Sequence, residues 1–117
     1  MGRGRTQARR EKLAGKGSSR PVVAIDDPVE TLIVRSRKAR SRGEERKALV
    51  LLRQACALDE WRARSWTLLG AHLAREGERD EAVRALNQAR WLRTRSGDGP
   101  RAAATERFAA RLLDVAA

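Results

Sequence analysis

His72 and Cys56 are the only histidine and the only cysteine in the chain, so any chemistry that needs an imidazole or a thiol rests on these two side chains. A catalytic base or a metal ligand works only with convergent partners. His72 stands beside Leu73, next to an apolar helical stripe, and is expected to point partly to solvent. Cys56 follows Ala55 and reads as a small packed hydrophobe. With one cysteine, no intramolecular disulfide forms, and a thiolate-bound metal would need other ligands. Gly2 and Gly4 follow no strand pattern, and Gly97 and Gly99 precede no Lys-Ser/Thr pair, so no phosphate-cradling loop is present. Glu76, Glu78, Asp80 and Glu81 crowd one turn, where acids complement a helix N-terminus. These features predict no catalytic residues, no cofactor and no metal site. The expectation is a protein that is not an enzyme.

The charge is the next resource. The chain carries 26 Lys+Arg against 15 Asp+Glu, a formal net charge of +11. Such an excess favours solubility and attraction to polyanions but says nothing of fold. It is concentrated at the start. Residues 1–25 hold seven basic side chains and one acid, Glu11, a net +6. Residues 1–20 have only Met1 and Leu13 as large apolar groups, too few to offset the entropy of ordering. They read as a disordered basic tail, and Pro21 to Ile25 as a linker or docking stretch. Arg3, Arg5, Arg9, Arg10, Lys12 and Lys16 could neutralise phosphates of RNA or DNA. No aromatic lies among them for base stacking, so such binding would be sequence-blind. No apolar run approaches the roughly 18 residues of a membrane span, and the basic start lacks the apolar segment of a secretory signal. A cytoplasmic protein is expected.

Beyond the tail, Ala, Leu, Arg, Glu and Gln dominate, all strong helix formers. Asp27-Pro28-Val29-Glu30 is a helix start: an N-cap acid, Pro at the first helical position, and Glu30 to complete a capping box. That helix would carry Leu32, Ile33, Val34 and Ala39 and end near Gly43. A second, from about Glu44 to Leu58, places Ala48, Leu51, Leu52, Ala55 and Leu58 on one face. A third runs from Trp61 or Ala63 to Arg75, with Trp66, Leu69, Gly70 and Leu73 as its stripe. A fourth spans about Arg79 to Arg93 with Ala82, Val83, Leu86 and Ala89. Ser96 to Pro100 is a loop. A fifth helix then buries Ala104, Phe108, Leu112 and Val115.

Two stretches repeat. Residues 43–56 laid over 77–90, an offset of 34, give six identities in 14 positions: Gly43/Gly77, Glu44/Glu78, Ala48/Ala82, Leu52/Leu86, Gln54/Gln88 and Ala55/Ala89. About one would be expected from average residue frequencies. A 34-residue period of two helices around a Gly is a signature of tetratricopeptide repeats. Trp66-x2-Leu69-Gly70-x2-Leu73, then Gly77, Ala82-x3-Leu86 and Ala89, resembles that family's pattern, with Leu in place of its Tyr and Phe. The small Gly70 and Ala82 would let paired helices approach closely. The earlier repeat matches in its second helix only: Leu32 and Ala39 stand where Trp66 and Leu73 do, and Arg35-Ser36 replaces Leu69-Gly70. Glu60 and Thr94 occupy the places where the family usually has Pro.

The expected architecture is all-α, a short tetratricopeptide-like helical-hairpin solenoid of about five helices. Residues 1–25 form the tail and linker. Residues 26–117 form the repeat domain, with 28–60 a degenerate repeat, 61–95 the well-matched one and 100–116 a capping helix. The resemblance implies an adaptor whose first helices line a partner-binding groove. Its positions are Arg64, Thr67, Ala71 and Arg75, with Ile33, Arg37 and Arg40 in the weaker repeat. The family's carboxylate clamp uses Lys and Asn there, and no Asn is present. A basic groove for an acidic protein segment remains. The alternative is a nucleic-acid- or ribosome-associated protein held by the tail, and self-association is a third possibility. Trp61 and Trp91, near the ends of second helices, are expected to fill gaps between adjacent repeats or to serve as exposed contacts.

Overall fold

In a computed structural model, residues 27–116 are described, with side chains through Asp114. The tail and the stretch at Pro21 to Ile25 lie outside the described residues, and Val115 outside the described side chains. Five helices follow in order: α1 Pro28–Ser41, α2 Glu45–Leu58, α3 Ala63–Arg75, α4 Arg79–Arg95 and α5 Gly99–Ala116. No strand occurs among the described residues.

The start of α1 forms because Asp27 Oδ1 accepts the backbone N–H groups of Val29 and Glu30, at 3.1 and 3.2 Å. Those donors have no partner within the helix. Glu30 does not complete the expected capping box; its carboxylate is gripped by Arg64 of α3 instead. The 34-residue period reappears in the turns. Gly43 and Gly77 have φ of +79° and +81°, and each donates its N–H to a carbonyl three residues back. The N–H of the next residue, Glu44 or Glu78, closes on Ala39 or Leu73. These paired bonds satisfy carbonyls that the helix ends leave open. Gly97 uses the same turn. The expected Ser96–Pro100 loop is therefore shorter than predicted. Asp98 Oδ1 accepts the Arg101 N–H at 3.1 Å, and α5 begins at Gly99 with Pro100 already in its first turn.

Gly70 of α3 lies against α4. A Cβ added there would come 2.5 Å from Leu86 Cγ and 3.4 Å from the Ala82 carbonyl oxygen. Only a residue without a side chain permits this approach. In the first helical pair, Ser36 takes the place of Gly70. It is buried, and its hydroxyl donates to the Ile33 carbonyl at 2.7 Å, so the polar atom needs nothing from α2. That internal bond explains why α1 packs despite its polar run from Arg35 to Arg42.

One buried cluster joins α1 to α4 through Val29, Ile33, Leu52, Ala55, Cys56, Leu69, Leu73 and Ala82. Each fully buried Leu or Ile contributes about 1.5–3 kcal/mol. Two expected core positions are corrected. Leu58 is exposed, because it ends α2 where no further helix covers it, and Cys56 is buried in its stead. Ala104 is exposed, because α5 turns Ala102 and Thr105 inward. Trp66 is half-buried and packs against this cluster, its indole N–H donating to the Glu60 carbonyl at 3.0 Å.

Gly70→Ala should lower stability by about 1–3 kcal/mol through overpacking, read from the urea midpoint. Gly99→Ala should change it by less than about 0.5 kcal/mol, because nothing lies within 4 Å of its added Cβ. Equal losses for the two would contradict the close helix crossing.

Candidate functional site

The arginines of the expected first-helix groove are partly committed within the molecule. Arg64 forms a bidentate pair with Glu30, at 2.6 and 3.3 Å. Beside it, Arg62 reaches Asp27 Oδ2 at 2.8 Å. Between α2 and α4, Arg53 grips Glu81 at 2.8 and 3.0 Å. Each pair ties one helical pair to the next. Arg62 holds the Asp27 carboxyl below the usual range, and Arg64 does the same for Glu30, with Arg37 adding to it.

The other groove positions divide. Ile33 is fully buried and Ala71 nearly so, because α1 and α3 turn these residues into the core. They offer a partner no surface, and this part of the expected groove is corrected. Thr67 is half-buried and donates its hydroxyl to the Ala63 carbonyl. Arg37, Arg40 and Arg75 are exposed. Burial first, and then Arg40, pushes the Arg75 guanidinium down, while Glu45 and Glu76 pull it up. Arg40 and Arg75 therefore share one electrostatic environment with two acids. The tail residues Arg3, Arg5, Arg9, Arg10, Lys12 and Lys16 lie outside the described residues.

His72 is buried, not half-solvated as its place beside the stripe suggested. The reason is that α3 is central. It packs on α2, α4 and α5, so Leu69 through Ala74 are all buried. Desolvation pushes the imidazole below its ordinary value, against the pull of Glu45. Nε2 lies 3.1 Å from Glu45 Oε1, yet has no aligned hydrogen-bond partner. With a neutral ring, this close contact is not an ion pair. Cys56 is buried as expected, and burial pushes its thiol up to about 12, which keeps it protonated and unreactive.

A feature that the periodicity did not locate lies on the face of the second helices. Trp61 is 66% exposed and Trp91 48% exposed. The two rings meet at 6.2 Å between centroids, tilted by 36°. The guanidinium carbon of Arg95 lies 5.6 Å from one ring centroid and 5.3 Å from the other. These indoles touch each other across the α2–α3 turn and α4, but they are not filler. A cleft beside them is lined by Glu60, Arg84, Asn87, Gln88 and Arg90. Through Glu60, Arg84 and Gln88 it continues into a second cleft whose floor includes Cys56, Ala57, Leu69 and Ala85. Among the described residues, Arg84, Arg90 and Arg95 form no ion pair. A signal was available in the sequence: Arg84, Asn87, Trp91 and Arg95 recur at three and four residues on the polar stripe of α4. A Trp on that stripe has no core reason to be there.

No protein-family model matches the chain, and no curated protein matches it.

Asp27 and Glu30 give a pH dependence with a defined sign. Their folded-state values lie below the ordinary ones, so below about pH 4.5 the unfolded chain takes up protons first. Their contribution is complete at neutral pH and is lost as pH falls through the lowered values. Asp27→Asn combined with Glu30→Gln should lower stability at pH 7 and flatten the decline between about pH 5 and 3, measured by urea titration at each pH. An unchanged acid slope would contradict the assignment.

Proposed function

We propose that this protein is a non-enzymatic interaction module, a small adaptor of the tetratricopeptide-like kind, and that it holds an acidic segment of a partner protein. The equal spacing of the Gly43 and Gly77 turns and the tight crossing at Gly70 support the repeat reading. The observation that carries the function is the Trp61–Trp91 pair, exposed and covered by one guanidinium. Trp and Arg are the residues that dominate binding energy at protein interfaces. Exposed indoles lose favourable free energy to water that a partner would restore.

The neighbouring chemistry favours an acidic partner segment with apolar anchors. Arg84, Arg90 and Arg95 present planar guanidinium groups that pair with carboxylates in a bidentate way. The adjoining cleft floor of Cys56, Ala57, Leu69 and Ala85 accepts an aliphatic or aromatic side chain. On this reading the principal contact is the second-helix face, and the exposed Arg37, Arg40 and Arg75 are a separate basic row. Arg64 is a poor probe of binding, since Arg64→Glu would set two carboxylates together at Glu30. A nucleic-acid partner is the second reading. The exposed, tilted indoles would supply the base-stacking element that the basic tail lacks.

The test is fluorescence anisotropy with two labelled probes of equal charge, a Glu-rich peptide containing leucines and an oligouridylate. The peptide should bind, and Trp61→Ala with Trp91→Ala should weaken it by about tenfold or more, near 1.4 kcal/mol. Because both indoles are exposed, the variant should keep its fold. Deleting residues 1–20 should reduce oligouridylate binding far more than peptide binding. Peptide affinity unaffected by the Trp variant, or loss of Trp-dependent binding only for oligouridylate, would overturn the acidic-segment reading.

A further inference from the structure

Three potential metal ligands from two helices and a turn meet at one point: Glu45 in the first turn of α2, His72 in the last turn of α3, and Glu76 at the α3 C-cap. One donor atom from each lies within 4.8 Å of the other two. Glu45 and Glu76 also share the lining of a surface cleft with Arg46, Leu49, Val50, Arg53 and Glu78, so the two carboxylates are reached from solvent. The inner donor is the unusual one. His72 is 2% exposed, and its Nε2, 3.1 Å from Glu45 Oε1, has no aligned hydrogen-bond partner. A buried polar atom left in that state costs free energy unless something satisfies it.

We propose that Glu45, His72 and Glu76 bind a divalent transition-metal ion of the Zn²⁺ class. Bonds of about 2.0–2.2 Å from Zn²⁺ to imidazole nitrogen and carboxylate oxygen put neighbouring ligand atoms roughly 3.3–3.5 Å apart in a tetrahedron. The 3.1 Å between His72 Nε2 and Glu45 Oε1 is close to that edge. Glu76 is exposed and free to close the remaining gap by a side-chain rotation. Imidazole with carboxylates suits Zn²⁺ better than Mg²⁺ or Ca²⁺, which prefer oxygen alone. Three protein ligands leave a fourth position for water.

The two carboxylates supply a charge of −2 and the neutral imidazole none, while Arg40 and Arg75 face the same cluster and oppose a cation. They make the site one of modest affinity. Bound metal would fasten the start of α2 to the end of α3, joining the two helical pairs at the opposite end from the Asp27–Arg62 pair. Stability would then rise with free metal concentration, as for any ligand of the folded state.

The test is a ZnCl₂ titration of the untagged full-length chain, followed by calorimetry and by the imidazole NMR resonances of its one histidine. One Zn²⁺ per chain should bind, with the His72 resonances shifting until the stoichiometric point. Cys56→Ser should bind equally well. His72→Gln should bind about tenfold or more weakly. Glu45→Gln with Glu76→Gln, which removes accessible carboxylates and leaves the buried ring in place, should show the same loss while keeping the helical circular dichroism. Unshifted His72 resonances, binding that survives in both variants, or binding lost in Cys56→Ser would overturn the proposal.

Discussion

Gly70 carries no side chain, and Leu86 and the Ala82 carbonyl occupy the space that one would need. That contact sets how close α3 and α4 come, and the rest of the packing follows from it. At this separation Leu73 and Leu86 are nearly or fully buried, Ala82 and Ala89 are fully buried, and α3 is enclosed on several sides. A central helix of this kind buries residues on every face, which is why His72 has almost no exposure. The first helical pair meets the same requirement with Ser36 and Ala48, both buried, and with a hydroxyl satisfied inside its own helix.

The pairing of charges decides which basic residues remain available. Arg53, Arg62 and Arg64 bind Glu81, Asp27 and Glu30 across the boundary between the helical pairs. Exposed pairs of this sort contribute little stability each, but they fix which surfaces stay charged. Those left without an ion pair among the described residues include Arg84, Arg90 and Arg95, all on α4 and all near the indoles. The surface that combines exposed aromatic area with uncommitted guanidinium groups is thus on the second helices, not on the first.

Much of this was legible in the sequence. The five helices, the Asp27 cap and the Gly turns are local features, written in residue type and spacing. The Gly70–Ala82–Leu86 crossing was legible too, because a repeat places small and large residues at fixed offsets. What was not legible depends on how many neighbours an element has. His72 and Ile33 sit where a two-sided helix would show solvent, and only the surrounding helices bury them. Leu58 fits the apolar stripe of α2 yet extends past the last helix that could cover it. The inward face of α5 was misplaced because it begins at Gly99, so that Ala102 rather than Ala104 points to the core. Arg64 looked like a binding residue, but its long side chain found a carboxylate 34 residues away. The Trp61–Trp91 contact arises from a turn meeting a helix, a proximity that no single periodicity encodes.

The central claim is that partners meet this protein on the face of Trp61 and Trp91. The chain has three tryptophans, so a ¹H–¹⁵N spectrum contains three indole signals, and each reports one place in the fold. Titration with the Glu-rich peptide should move the Trp61 and Trp91 signals together and to saturation, with a smaller change at Trp66, whose N–H is held by the Glu60 carbonyl. If the peptide saturates while the Trp61 and Trp91 signals stay in place, the binding surface lies elsewhere and the claim fails.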